Sequence, residues 1–256
     1  MKKTLIALLA LSGVAAADIK DGLVAWWSFD TDSSYVSYTG FTGSVTTGIT
    51  SSNMHATGGV DGKGYISSHY DGGYMDFYDT MGGMNISASS FSLSFKVRGA
   101  TADYRSLFSM TIPGLGQVDM QTENPQNGSD TCLYSSASIE ITDDTVRDAI
   151  MGTDGWANVI LTGDGNTLTL TVNGVSASVA YTPGTDTKLS NFQLGSSFGD
   201  GERRVSADFD DLAIWNRVLT AGEVSALAAG AAVPEPATAT LSLLALAGLA
   251  ARRRRK

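Results

Sequence analysis

The stretch FSLSFKVR at 91–98 alternates without a break. Phe91, Leu93, Phe95 and Val97 fall on one side, Ser92, Ser94, Lys96 and Arg98 on the other. Successive side chains of a strand point to opposite faces, so this pattern makes a half-buried strand and offers no apolar stripe to a helix. TLTLTVNGVSASV at 167–179 repeats it through Leu168, Leu170 and Val172, turns at Asn173-Gly174, and returns through Val175, Ala177 and Val179. Asn-Gly between two alternating runs is the strongest short-range hairpin signal. WANVIL at 156–161 and NFQLG at 191–195 add further strands. Many short strands with Gly-rich turns predict an all-β chain, an antiparallel β-sandwich or barrel.

One helix is expected after the last strand. In LTAGEVSALAAG at 219–230, Thr220 and Glu223 form a capping box, Leu219 and Val224 sit where a hydrophobic staple forms, and Gly230 is the stop. The ends of the chain differ from its body. Lys2 and Lys3, an apolar run from Leu5 to Val14, and Ala15-Ala16-Ala17 have the order of a secretory signal peptide, residues 1–17, cut before Asp18. That implies handling by the secretion machinery and a signal peptidase. At the other end, Pro234-Glu235-Pro236 precedes an uncharged run from Ala237 to Ala251 and five cations, Arg252 to Lys256. As a helix this run spans about 22 Å at ~1.5 Å per residue, short of the ~30 Å hydrocarbon core. It reads as a marginal, transient membrane segment.

Charge and cysteine narrow the function. Seven of the 17 cations lie in those two end segments, which leaves 10 against 26 acids, or −16, over residues 18–251. Such a surface repels nucleic acid and suits neutral ligands or divalent cations. Cys132 is the single cysteine, so no intramolecular disulfide forms, and its place in TCLYSS fits a buried small hydrophobe. His55 and His69 show no metal-ligand spacing.

Three segments carry candidate chemistry. SSHYDGGYMDFYDTMGGM at 67–84 interleaves Tyr70, Tyr74, Phe77 and Tyr78 with Asp71, Asp76 and Asp79. Aromatic faces beside carboxylates suit a neutral sugar, so Tyr70, Tyr74, Tyr78 and Asp76 are the candidate ligand-binding residues; a plain strand with some rings in the core is the alternative. In FDDLAIW at 209–215, an unbroken strand sets Asp210 on one face with Leu212 and Ile214, and Phe209, Asp211, Ala213 and Trp215 on the other. A carboxylate on an apolar face must be hydrogen-bonded, paired or metal-bound. Catalysis has little support: SIEITDD at 138–144 comes nearest to paired carboxylates, and strand spacing puts Glu140 and Asp143 on opposite faces. No catalytic residue is expected.

The order of GLVAWWSFD (22–30), GGVDGKGYI (58–66), FSLSFKV, GWANVILTGDGNTLTLTVNG (155–174) and FDDLAIWNRVLTAGEV (209–224) resembles the laminin-G-like, concanavalin-A-like jelly roll. The resemblance implies a jelly-roll domain over 18–230, with residues 31–57 and 99–150 as loops and divergent strands. It also implies a possible Ca²⁺ ion, structural or ligand-bridging, held by the Asp210 side chain and groups around Asp30. The tail, residues 231–256 with its linker, resembles a PEP-CTERM sorting signal. That resemblance implies recognition by a membrane-embedded exosortase, a membrane-held stage before processing, and a final place at the surface or in the exopolysaccharide matrix of a Gram-negative bacterium. Together they lead to the expectation of a non-catalytic surface or matrix protein that binds glycans. Matrix cargo without a ligand and an atypical glycosidase are the alternatives.

Overall fold

A computed structural model describes residues 19–30, 46–47, 54–60, 62–68, 74–76, 83–100, 105–121, 131–151, 155–184, 188–197 and 203–233. The signal peptide, Tyr70, Tyr78 and the Pro234-Glu235-Pro236 triplet lie outside them. Two antiparallel sheets make the domain. The first runs β13 (Val175–Ala180), β12 (Thr167–Val172), β11 (Ala157–Gly163), β6 (Phe91–Arg98), β15 (Asp208–Trp215), β4 (Tyr65–Ser67) and β3 (Met54–His55). Its remaining strand, β1 (Leu23–Trp27), pairs with residues 212–215 of β15, while β4 pairs with residues 208–209 of the same strand. The second sheet runs β10 (Glu140–Thr142), β9 (Thr131–Ser135), β8 (Gly116–Gln121), β7 (Ser106–Ile112), β14 (Ser190–Leu194), β5 (Met75–Asp76) and β2 (Thr46–Thr47).

The alternation read from the sequence sets the core. Phe91, Leu93, Phe95 and Val97 of β6 meet Phe108, Met110, Val118, Met120 and Phe192 of the facing sheet in one buried cluster. Phe95 and Phe108 meet edge to face, their ring centres 5.9 Å apart. The β12–β13 hairpin turns at Asn173 and Gly174, both at positive φ (49° and 87°), the backbone of a two-residue type I′ turn. Cys132 is fully buried, and burial pushes its thiol up to about 11.

The outer face of β6 is also covered. A second cluster of Trp26, Ile160, Ala213, Trp215, Leu219, Leu227 and Val233 lies over it, so Ser92, Ser94 and Lys96 are buried too. Helix α2 (Ala221–Ala228) supplies part of that cover. The Thr220 hydroxyl accepts the Glu223 N–H and the Glu223 carboxylate accepts the Thr220 N–H, which is the expected capping box. At the other end, Gly230 at φ +90° lets its own N–H reach Leu227 O and the Ala231 N–H reach Ala226 O, a Schellman stop. The chain then returns across the sheet and buries Val233 to 3 % exposure, one residue before the Pro-Glu-Pro triplet.

A second helix, α1 (Asp144–Met151), occupies a segment expected as loop and strand. Asp143 caps it by accepting the Thr145 hydroxyl and the N–H groups of Val146 and Thr145, which together lower its pKa, and Val146 and Ile150 face the core. Asp143 is therefore a helix cap and no strand partner of Glu140. His55 belongs to β3, with its ring stacked on Tyr65 at 4.6 Å.

Candidate functional site

The last strand departs from simple alternation. Register with β6 shifts between Asp210 and Ala213, and Asp211 takes φ +50°, a β-bulge. The extra residue moves Phe209 to the core side with Leu212 and Ile214. Asp210 and Asp211 both turn to the outer face with Ala213 and Trp215. This corrects the expected pairing of Asp210 with Leu212 and Ile214. The bulge falls where the neighbour of β15 changes from β4 to β1, and the Gly59–Gly64 turn closes on that junction. A Cβ on Gly59 would stand 2.1 Å from Gly64 O and 2.8 Å from Asp210 Oδ2, so glycine alone fits.

Around this junction lies a cleft of about 310 Å³ lined by Asp30, Asp210, Asp211, Lys63, Lys96 and Trp26, with Val60, Gly230, Ala232 and Val233 completing its wall. Asp210 Oδ2 accepts the Val60 N–H at 2.8 Å and Oδ1 accepts the Asp211 N–H at 2.9 Å. Burial pushes its carboxyl up to about 8 against those two donors, and the charges of Asp211 and Asp30 add to the rise. Asp211 Oδ1 accepts the Trp26 indole N–H at 3.1 Å, and its Oδ2 lies 3.0 Å from Lys96 Nζ. Lys63, half exposed, pairs with Asp30 at 3.5 Å. At the rim Arg98 bonds Asp208 through Nε (3.0 Å) and Nη2 (2.7 Å), with its guanidinium over the rings of Tyr65 and Trp156.

The residues expected to hold calcium lie on this cleft, Asp30 and Asp210 among its walls. Calcium takes six to eight oxygens. Here both Asp210 oxygens hold backbone N–H groups, Asp30 is matched by Lys63, and Asp211 by Lys96. Among the described residues no three Asp, Glu, His or Cys side chains converge as metal ligands. Asp30 and Asp210 do share the cleft as expected, with Lys63 and Lys96 beside them.

The second region was not anticipated from the sequence. On β8, Val118 and Met120 point into the core, so Gln117, Asp119 and Gln121 point away from it. Across the sheet Gln193, Ser109, Asp119, Tyr134 and Glu140 stand opposite one another on five consecutive strands. Though turned from the core, Ser109, Asp119, Gln121 and Gln193 are all less than 9 % exposed. Asp119 Oδ2 accepts the Gln117 amide at 2.9 Å, and that amide also reaches Ser197 at 2.9 Å. Burial raises the Asp119 pKa, opposed by Ser109, Ser197, Gln117 and the charge of Arg203.

Several buried groups here have no hydrogen bond: Ser109 Oγ, both amide atoms of Gln121, Gln193 Oε1 and Arg204 Nε. The Ser109 hydroxyl acts on the Asp119 carboxyl and draws its pKa down. Arg204 is bridged to Ser106 and lays its guanidinium over the Tyr74 ring at 5.0 Å. Expected ligand residue Tyr74 thus borders this face, and the backbone of Asp76 stands opposite Gln193. Each unsatisfied buried polar atom costs about 1–3 kcal/mol, so a native fold carries few without reason. A shallow groove of about 520 Å³ between the β12–β13 hairpin and α2 shows the contrast. Its hydroxyls bond one another, Thr169 to Ser178 at 2.9 Å and Thr171 to Ser176 at 2.8 Å.

Comparison with known proteins agrees with the two sheets and with the tail. The family model described as Concanavalin A-like lectin/glucanases superfamily, a laminin-G type, matches residues 70–225. That of the PEP-CTERM protein-sorting motif matches residues 232–256. No curated protein matches the sequence. Among solved structures, domain 4 of AbnA, an extracellular arabinanase from Geobacillus stearothermophilus in complex with arabinotriose, is similar over 80 % of this chain and 98 % of its own, with 18 % identity and TM-score 0.52. Trypanosoma rangeli sialidase is similar over 88 % of this chain, with 15 % identity and TM-score 0.58. A botulinum neurotoxin type C structure, described as entering cells through two ganglioside molecules, is similar over 82 %, with 14 % identity and TM-score 0.52. This chain spans 35 % of that sialidase and 51 % of that toxin chain. At these identities the likeness is one of fold.

Proposed function

Since this chain belongs to the concanavalin A-like lectin/glucanases superfamily and ends in a PEP-CTERM protein-sorting motif, we propose that it is an exported, non-catalytic glycan-binding protein. The sorting motif supports export and a membrane-associated tail before processing. The proposed destination is the surface or exopolysaccharide matrix of a Gram-negative bacterium, with exosortase as the processing partner. The observation that carries the glycan reading is the buried row on the second sheet, where the Gln121 amide, Gln193 Oε1 and Arg204 Nε have no hydrogen bond. A saccharide offers vicinal hydroxyls that donate and accept at once, which is what a Gln amide and a Ser hydroxyl lack here. Tyr74 adds a ring at the border, and Asp119 accepts from a hydroxyl or donates to it.

Hydrolysis would need a second carboxylate across the scissile bond, about 5–9.5 Å from the first. Along the row the next described carboxylate side chain is Glu140, two strands from Asp119. At ~4.8 Å per strand their backbones stand about 9.6 Å apart, at the far end of that range. Calcium forms no part of this proposal, which rests on the second sheet.

The test is Gln121→Leu in the full chain, screened on a saccharide array that includes the host's own exopolysaccharide. Removing a buried amide with no partners is expected to leave the melting temperature equal or higher, while retention on the array is lost. A variant that melts lower yet still binds would refute the site. Parent protein that binds nothing on the array would favour matrix cargo without a ligand, and release of new reducing ends would favour an enzyme.

A further inference from the structure

The bulge in β15 brings together one amine and two carboxyl groups. Lys96 stands in register with Asp210 across the β6–β15 ladder, and the bulge turns the next residue, Asp211, to the same face. Lys96 Nζ lies 3.0 Å from Asp211 Oδ2, yet this buried ammonium makes no aligned hydrogen bond there or elsewhere. The Trp26 indole N–H holds the other oxygen, Oδ1. The two carboxylate oxygens therefore have different surroundings. Behind the pair, Leu227, Ala231 and Val233 leave a void of only about 10 Å³, while the larger cleft opens on the other side.

We propose that Lys96 and Asp211 condense to an intramolecular amide that ties β6 to β15. The ammonium passes one proton to Asp211 Oδ2, leaving a neutral amine and a neutral acid. Nζ attacks Cγ, and the tetrahedral oxyanion forms on Oδ1, where the Trp26 N–H already points. The Asp210 carboxyl takes a second proton from Nζ and returns one to Oδ2. The Cγ–Oδ2 bond then breaks, water leaves through the cleft, and Nζ keeps one hydrogen. One N–C bond forms, one C–O bond breaks, the two opposite charges cancel, and no oxidant or co-reactant is used. Burial favours the product, because an ion pair out of water carries a desolvation penalty that a neutral amide does not.

Peptide mapping of the full chain decides the matter. Trypsin acting on free Lys96 yields peptides 64–96 and 205–217. An amide at Lys96 blocks that cut, so the expected species is 64–98 joined to 205–217 and lighter than their sum by one water. Fragmentation should place the link on Asp211. Asp211→Ala and Lys96→Met should abolish it, and Asp210→Asn should slow its appearance after refolding while both linked residues remain. Finding only free 64–96 and 205–217 in the parent would overturn the proposal, whether or not the variants fold. A link on Asp210 would overturn the assignment of roles.

Discussion

Replacing Glu223 by glutamine is expected to cost about 3 kcal/mol at neutral pH and much less in acid. Glu223 is 4 % exposed and its carboxylate has four donors: Arg217 through Nη1 (2.8 Å) and Nη2 (2.6 Å), and Thr220 through its N–H (2.7 Å) and hydroxyl (2.9 Å). The Arg217 guanidinium, with Thr220, outweighs burial and holds the carboxyl down at about 2, from 4.5. The folded pKa lies below the unfolded one. The stabilisation is therefore complete above pH 4.5 and is lost as pH falls from there toward 2. At about 1.36 kcal/mol per pH unit the full effect is about 3 kcal/mol, and about 1.5 kcal/mol remains at pH 3. Urea unfolding of parent and Glu223→Gln at pH 7, 5 and 3 measures it, with equal m-values confirming the same transition. The gap should be equal at pH 7 and 5 and roughly half at pH 3. A gap unchanged at pH 3 would show that Glu223 acts by shape and hydrogen bonding alone, and the ion-pair argument would fail.

Three further outcomes follow from the same geometry. Asp210, with its folded pKa raised to about 8 from 3.8, contributes stability that is complete below pH 3.8 and lost as pH rises through 8. Calorimetry should show the parent losing stability between pH 5 and 9 and Asp210→Asn staying flat, more stable than the parent at pH 9. Because each Asp210 oxygen holds a backbone N–H and Asp30 Oδ2 pairs with Lys63, EDTA and added calcium are expected to leave the melting temperature unchanged; a rise with calcium would make Asp30 and Asp210 metal ligands and sink that reasoning. The Cys132 thiol, fully buried and lifted to about 11, should resist a thiol reagent at pH 8 until the chain is unfolded in urea, and labelling of the native protein would contradict its burial.

Much of the first sheet was legible because alternation reports which side chains share a face. FSLSFKVR, the Asn173-Gly174 turn and the Thr220–Glu223 box all behave as local rules require. What local rules miss is a single inserted residue. FDDLAIW alternates as well with the bulge as without it, and the one hint is that aspartate tolerates positive φ better than most residues. That residue decides whether Asp210 meets Leu212 or Lys96. Helix α1 left a clearer trace, since Asp143 at a capping position precedes Val146 and Ile150 at helical spacing. The Glu-Asp-Asp spacing drew attention to strand faces and hid it.

Alternation also says nothing about what lies over a polar face, and that separates the two sheets. Ser92 of β6 and Ser109 of β7 are both serines on the outward face of a central strand, and both are completely buried. The Ser92 hydroxyl donates to Arg217 O and accepts the Leu219 N–H, each at 2.9 Å. It is a fastening for the segment leading into α2, and replacing it would cost stability with no effect on binding. Ser109 fastens no backbone segment and acts instead on the Asp119 carboxyl, while the Gln121 amide one strand away has no hydrogen bond. Unsatisfied buried atoms cost ~1–3 kcal/mol each unless ordered water or a ligand completes them. The same residue type at the same depth is thus a fastening on one sheet and not on the other. The difference lies in hydrogen bonds that join residues over 100 positions apart, which no reading of neighbours along the chain can supply.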